Sequence, residues 1–227
     1  MRYRAILFDA DETLFDFQAG NRNAVNRLMD EIGYFDPNRY DQYETINLEC
    51  WRALEKGMMT HGQLQIARFV RFFDRYPAQG DPKQAASRFL ELLSRQSILL
   101  PHALEVVEAI AAQLPVVIVT NGATRTQKGR MALSPLKELI SGMVISQEIG
   151  VSKPSPGIFY KALDGLGVRP RDALMIGDGL DSDIRGANAA GIDACWYNPA
   201  HRTLPEGVRA EYVISDIRQC VNIALGD

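Results

Sequence analysis

The sequence predicts an α/β fold: a doubly wound parallel sheet whose first strand is followed by an inserted helical cap domain. Three observations predict it. A short apolar run, Ala5 to Phe8, opens the chain and stops at once in Asp9, Asp11 and Glu12. The next ~80 residues carry helical periodicity with no strand-like run. After Pro101, helical segments alternate with short Val/Ile-rich runs, the pattern of βαβ units around a parallel sheet.

Residues 1–15 read as a strand and a loop. A first helix is expected within 18–32, with Val25, Leu28, Met29 and Ile32 at helical spacing and Gly33 as its stop. Asp36 and Pro37 open a second, whose apolar stripe of Tyr40, Tyr43, Ile46, Cys50, Trp51 and Leu54 ends at Gly57. Thr60 and Gln63 form a capping-box pattern before a third helix containing Leu64, Phe69 and Phe72, closed by Pro77. Asp81, Pro82 and Gln84 repeat the device for a fourth, which runs to about Arg95. The expected division is a core of residues 1–15 and 98–227 and a cap of residues 16–97. In the core, helix "HALEVVEAIAAQ" precedes strand "VVIVT", then come a helix, strand "GMVIS", helix "PGIFYKALDGLG", strand "ALMIGD", another helix, and strands "DACWY" and "YVIS".

Composition narrows the function class. The 227 residues are 46% hydrophobic and 23% charged, ordinary values for a globular chain. The formal net charge of -3, with scattered Lys and Arg, offers no basic stripe for nucleic acid. The longest apolar runs, such as "LPVVIV", are too short to span a bilayer, and the first is too short for a signal peptide. No membrane association is expected, and the cytoplasm is the expected compartment. Cys50, Cys195 and Cys220 lack CxxC spacing and read as buried apolar fillers. His61 and His201 have no partner pattern and read as structural.

In open α/β sheets, ligands bind beyond the carboxyl ends of the strands. Those ends carry Asp9 and Asp11 after the first strand, Thr120, Asn121 and Gly122 after the second, and Asp178 and Asp183 after "LMIG"; Lys153 precedes a Pro-initiated helix. Two carboxylates ~4 Å apart repel by about 4 kcal/mol at an effective dielectric near 20. Four carboxylates and Lys153 sum to -4 + 1 = -3, so a Mg²⁺ ion near Asp9 and Asp178 relieves the crowding. Like-charge repulsion is expected to leave Asp11, away from the metal, able to act as an acid. Asp9 is then placed to attack phosphorus, while Asp11 protonates the leaving alkoxide and later deprotonates water. Thr120, the backbone amides of Asn121 and Gly122, and Lys153 supply donors to phosphoryl oxygens.

These residues spell a known pattern. "FDADETLF", "VVIVTNG", "VSKPSPGIF" and "MIGDGLDSDIRGANAAG" resemble the four motifs of the haloacid dehalogenase superfamily of phosphohydrolases, over essentially the whole chain. The resemblance implies a Rossmann-like core with Asp9 as nucleophile, Asp11 as acid and base, and Thr120 and Lys153 as phosphate ligands. It implies Mg²⁺ held by Asp9 and Asp178, with the Asp11 backbone carbonyl as a further ligand and Asp183 supporting the metal's water. It also implies a cap that closes over the site. Within the superfamily, "DADETLFDF", "INLECW", "GMMTHGQLQIARF" and "GDGLDSDIRG" are similar to bacterial pyrimidine 5'-nucleotidases that clear noncanonical nucleotides. The implied substrate is a pyrimidine nucleoside monophosphate, and Asn47, Trp51 and Arg68 are the cap residues nominated to face it. A sugar-phosphate phosphatase or mutase would use the same core. A 2-haloacid dehalogenase would need neither Asp11 nor Asp178, and a non-catalytic phosphate-binding module would not need both Asp9 and Asp11.

Overall fold

The computed structural model describes residues 2–226, apart from the side chains of Glu55 and His61, so the role expected for His61 lies outside the described residues. The chain divides into two compact units, Met1–Phe17 with Ser97–Asp227, and Gln18–Gln96.

The inserted unit is built from four helices, α1 (Phe17–Glu31), α2 (Arg39–Glu55), α3 (His61–Arg75) and α4 (Pro82–Ser94). Helix α2 begins later than its Asp-Pro signal because Asp36 makes a turn first: its Oδ1 accepts the Asn38 N–H at 2.7 Å and its carbonyl the Arg39 N–H at 3.1 Å. At its other end Gly57 takes a φ of +69°, and the Gly57 and Met58 N–H groups fold back onto Leu54 and Ala53. The capping box of α3 forms in both directions: Thr60 Oγ1 accepts the Gln63 N–H at 3.3 Å, and Gln63 Oε1 accepts the Thr60 N–H at 2.8 Å. Asp81 Oδ1 accepts the Gln84 N–H at 2.8 Å to start α4. The amphipathic faces meet around the rings of Tyr43, Phe69 and Phe89, with centroids 5.7 to 5.8 Å apart. Trp51, expected on the apolar stripe of α2, is 40% exposed.

The other unit is a six-stranded sheet in the order β3-β2-β1-β4-β5-β6, with every pairing parallel. The strands are β1 (Ala5–Phe8), β2 (Val116–Thr120), β3 (Gly142–Ile145), β4 (Ala173–Gly177), β5 (Asp193–Tyr197) and β6 (Tyr212–Ile214). Helices α5 (Ala103–Ala111), α6 (Thr124–Ala132), α7 (Ser146–Ile149), α8 (Pro156–Asp164), α9 (Arg185–Ala190) and α10 (Gln219–Leu225) flank and connect them. The short α7, a π-type turn at Leu180–Ile184 and the closing helix α10 are additions to the sequence reading.

Period-two alternation divides each central strand between two cores. Ile6 and Phe8 join Val116, Ile118 and Ile176 against α5 and α10, whereas Ala5 and Leu7 join Val117, Val119 and Met175 against α8 and α9. Each fully buried Leu, Ile, Val or Phe contributes roughly 1.5–3 kcal/mol, so β1, buried along its whole length, is a rigid base for the loop that carries Asp9 and Asp11. From β1 the chain builds outward to β2 and β3, then returns to β4 on the other side of β1. That reversal opens a crevice at the carboxyl end of the central strands. The segments leading out of and back into this unit pair with each other: the Asp16 N–H donates to Ile98 O at 3.0 Å and the Leu100 N–H to Leu14 O at 2.9 Å. Among the described residues, no helix is long and apolar enough to cross a membrane.

Candidate active site

The site begins where β1 ends. The Asp9 N–H continues the ladder by donating to Ile176 O at 2.9 Å, which fixes its backbone at the crevice. Its carboxylate accepts from Lys153 Nζ, which also donates to Asp183 Oδ1 at 2.6 Å. All three side chains are buried. Asn121 holds Lys153 in place through its backbone: Asn121 Nδ2 donates to Lys153 O at 2.9 Å and Lys153 N–H donates to Asn121 Oδ1 at 2.8 Å. Asp183 Oδ2 accepts the Gly179 N–H at 2.9 Å, so both its oxygens are engaged. Gly177 must be bare here, because a Cβ would lie 2.5 Å from an Asp183 carboxylate oxygen.

Three carboxylates converge around this ammonium. Asp9, Asp178 and Asp183 each offer an oxygen within 4.8 Å of the other two. Burial pushes the Asp9 pKa up, with Lys153 opposing and Asp183 and Asp11 adding to the rise. Burial, then Asp183 and Glu12, pushes Asp178 up to about 6. Burial disfavours the Lys153 charge, but Asp183 and Asp9 outweigh it and hold its pKa above the ordinary lysine value. Three carboxylates, two of them buried and Asp178 partly so, against one ammonium are short of positive charge, and an all-oxygen donor set of this kind fits a hard divalent cation.

Asp178 is fixed from two sides. Thr13 Oγ1 accepts the Asp178 N–H at 3.2 Å and lies 3.5 Å from Asp178 Oδ1, tying the loop after β1 to the loop after β4. Trp196 Nε1 and Arg202 Nη2 both donate to Asp178 O at 3.0 Å. Thr120, buried at the end of β2, accepts the Gly122 N–H on its Oγ1 at 3.0 Å. This engages one of the two amides expected to face phosphate and leaves the Thr120 O–H proton to point elsewhere.

Asp11 departs from the charge count made on the sequence. It stands two residues beyond Asp9, beside a turn in which Glu12 takes a φ of +58°, sparsely populated for a residue with a side chain. Its carboxylate meets Arg130 at 2.6 Å and Gln127 at 3.0 Å. Including Arg130, four carboxylates and two cations sum to -4 + 2 = -2 rather than -3. The carboxylates pushed upward are Asp9 and Asp178, and burial is the first cause in both. Thr13, Gln127, Arg130, Trp196 and Arg202 were missing from the sequence-derived site. Only Thr13 left a signal, as the threonine of "DADET"; the others act through neighbours distant in sequence.

The nominated cap residues separate into two groups. Asn47 and Arg68 are buried within the helical unit, where Arg68 Nη1 donates to Asn47 Oδ1 at 3.3 Å and the guanidinium stacks 4.6 Å from the Phe89 ring centroid. Asn47 Nδ2 and Asn21 Nδ2 both donate to Glu44 Oε2, at 3.3 and 3.5 Å. Trp51 lies one turn beyond Asn47 on α2 and presents an accessible ring.

Known proteins resemble the chain over nearly its whole length. Pyrimidine 5'-nucleotidase YjjG of Escherichia coli (strain K12) is 32% identical over 220 residues, covering 96% of each chain. Pyrimidine 5'-nucleotidase PynA of Streptococcus pneumoniae (strain ATCC BAA-255 / R6) is 33% identical over 229 residues, covering 98% of this chain and 96% of its own. The magnesium-bound crystal structure of YfnB from Bacillus subtilis superposes with a TM-score of 0.90 at 30% identity, covering 99% of each chain. The model of the haloacid dehalogenase-like hydrolases matches residues 3–191, spanning β1, the inserted helices and the four carboxylates. With that match, and with Asp9, Thr120, Lys153 and Asp178 at or just beyond their strand and loop ends, the chain belongs to the haloacid dehalogenase-like hydrolase family.

Proposed function

We propose that this hydrolase releases phosphate from pyrimidine nucleoside 5'-monophosphates through an aspartyl phosphate on Asp9. The observation that carries the chemistry is the pairing of two differently held carboxylates: Asp9, buried against Lys153, and Asp11, anchored separately by Arg130 and Gln127. An Asp9 oxygen attacks phosphorus and the ester P–O bond breaks as Asp11 gives its proton to the leaving oxygen. Water then attacks the phosphorus of the aspartyl phosphate, Asp11 takes its proton, and the Asp9 carboxylate leaves with phosphate released. Lys153 and the Thr120 hydroxyl hold phosphoryl oxygens, assisted by the loop amide of Asn121, as charge redistributes, while the Gly122 amide is spent on Thr120 Oγ1. Asp9 and Asp178, with the Asp11 carbonyl and Asp183 in support, would hold Mg²⁺, which when bound neutralises phosphoryl charge. A reducing compartment such as the cytoplasm suits three free, buried cysteines.

The pyrimidine preference is supported by full-length similarity to two pyrimidine 5'-nucleotidases, covering the inserted helices as well as the sheet. Of the nominated readers Asn47, Trp51 and Arg68, Trp51 gives the cleaner test, since Arg68 is packed inside the cap. Phosphate release from uridine, thymidine, adenosine and guanosine monophosphates, sugar phosphates and p-nitrophenyl phosphate, with and without Mg²⁺, tests the reading. Pyrimidine nucleotides should exceed purine nucleotides and sugar phosphates by about tenfold or more in kcat/KM. Trp51→Ala should lower nucleotide turnover about 5- to 150-fold while sparing the aryl phosphate. A sugar phosphate as the best substrate would overturn the nucleotide assignment.

A further inference from the structure

Asp11 has a holder built for it. Arg130 Nη2 lies 2.6 Å from Asp11 Oδ1, and Gln127 Nε2 donates to Asp11 Oδ2 at 3.0 Å. The two holders are themselves joined, with Gln127 Oε1 accepting from Arg130 Nε at 3.1 Å and from Nη2 at 2.7 Å. Their spacing of three residues puts them on one face of α6. Both are only 2% exposed, and the Arg130 guanidinium rests on the Phe15 ring, 4.4 Å from its centroid. Gly122 makes room: a Cβ there would stand 1.9 Å from Gln127 Nε2, so the carboxamide passes only because the backbone is bare.

Burying a guanidinium and a carboxamide is costly unless each is paired, and here the guanidinium is ion-paired with, and the carboxamide hydrogen-bonded to, one carboxylate. That carboxylate's side chain is itself 28% exposed and open to an incoming group. A carboxylate has about four lone-pair sites; one hydrogen bond and one ion pair to the clamp leave sites free for the proton to be transferred. Resting on the phosphatase reading above, we infer that Arg130 and Gln127 are positioning residues for the general acid and base. They fix the rotation of the Asp11 carboxylate so that leaving-group protonation and water activation proceed from one geometry. Displacements of about 1 Å at such a group cost on the order of a hundredfold in rate.

The test is single-turnover kinetics of the full chain carrying Arg130→Met, Arg130→Lys or Gln127→Leu, with uridine monophosphate and p-nitrophenyl phosphate as substrates, reading the rate of phosphoryl transfer from each before the shared hydrolysis of the aspartyl phosphate. The nucleotide's alkoxide leaving group needs a proton, and the nitrophenolate hardly does. For Arg130→Met and Gln127→Leu, the phosphorylation rate with the nucleotide should fall about 10- to 100-fold with its half-saturating concentration held within about threefold, while that with the aryl phosphate changes by less than about threefold. Arg130→Lys should recover part of the loss. In an Asp11→Asn background the same substitutions should add no further loss on the nucleotide, since they act through Asp11. Parallel losses on both substrates, or additive losses in the Asp11→Asn background, would show that the pair only supports α6 and overturn the inference. Gln127→Leu, which keeps the buried guanidinium, carries the test if the Arg130 variants do not fold. An unmodified chain inactive on both substrates would overturn the phosphatase reading and this inference together; an active one with unaffected variants would overturn this inference alone.

Discussion

Lys153 and Arg130 divide three of the site's four carboxylates between them. Lys153 donates to Asp9 and Asp183 in a buried cluster, while Arg130, with Gln127, takes Asp11. The division gives two aspartates only two residues apart different surroundings, which is the condition for separate roles as nucleophile and proton carrier. Asp11→Asn should therefore keep the fold but lose nucleotide turnover about 10²- to 10⁴-fold, and lose much less of the phosphorylation step with p-nitrophenyl phosphate. Single-turnover kinetics on both substrates checks this, and equal losses would contradict the acid role. At this scale, the sequence shows the residues lying close to a strand end. Asp9, Asp11, Thr120 and Asp178 were legible because each closes or trails an apolar run. Arg130 and Gln127 were not, because a polar residue on a helix gains its meaning from a carboxylate more than a hundred positions away.

Helix ends show the same limit at the scale of elements. The capping box at Thr60 and the Asp-Pro start of α4 were readable because they are local hydrogen-bond devices. Thr60→Ala should lower stability by about 1 kcal/mol, measured by denaturant unfolding, and a change near zero would mean the box carries no stability. The start of α2 is displaced by the Asp36 turn, and α7 and the π-type turn leave no periodic pattern in the sequence because each is about one turn long. His102, just before α5, holds a φ of +68° and bonds Glu105 at 2.9 Å. A β-branched residue is poorly tolerated there, so His102→Val should destabilise by about 1–2 kcal/mol, whereas His102→Gly should stay within about 0.5 kcal/mol. Equal effects of the two in thermal unfolding would contradict a backbone origin.

One reversal of strand order organises the whole molecule. Because β1 is central and buried on both faces, the loop leaving its carboxyl end faces the crevice between the β2 and β4 loops. The alternation of helices and Val/Ile-rich runs made this topology readable, and the all-helical stretch made the insertion readable. The helix residues that turn inward to serve the crevice could not be read, since their partners are set by packing between distant elements. Three carboxylates around one ammonium leave negative charge to be met by a cation. Saturating Mg²⁺ at about a hundred times its Kd should stabilise the metal-free protein by about 2.7 kcal/mol, raising Tm by about 5–10 °C, and Asp178→Asn should abolish most of that shift. No shift in the parent protein would contradict the metal assignment. The central claim is that Asp9 carries the phosphoryl group, and the rate of phosphate release from uridine monophosphate by Asp9→Asn tests it most directly. Several powers of ten should be lost with the circular dichroism spectrum unchanged, whereas a folded variant retaining more than about a tenth of the parent rate would contradict covalent catalysis at Asp9.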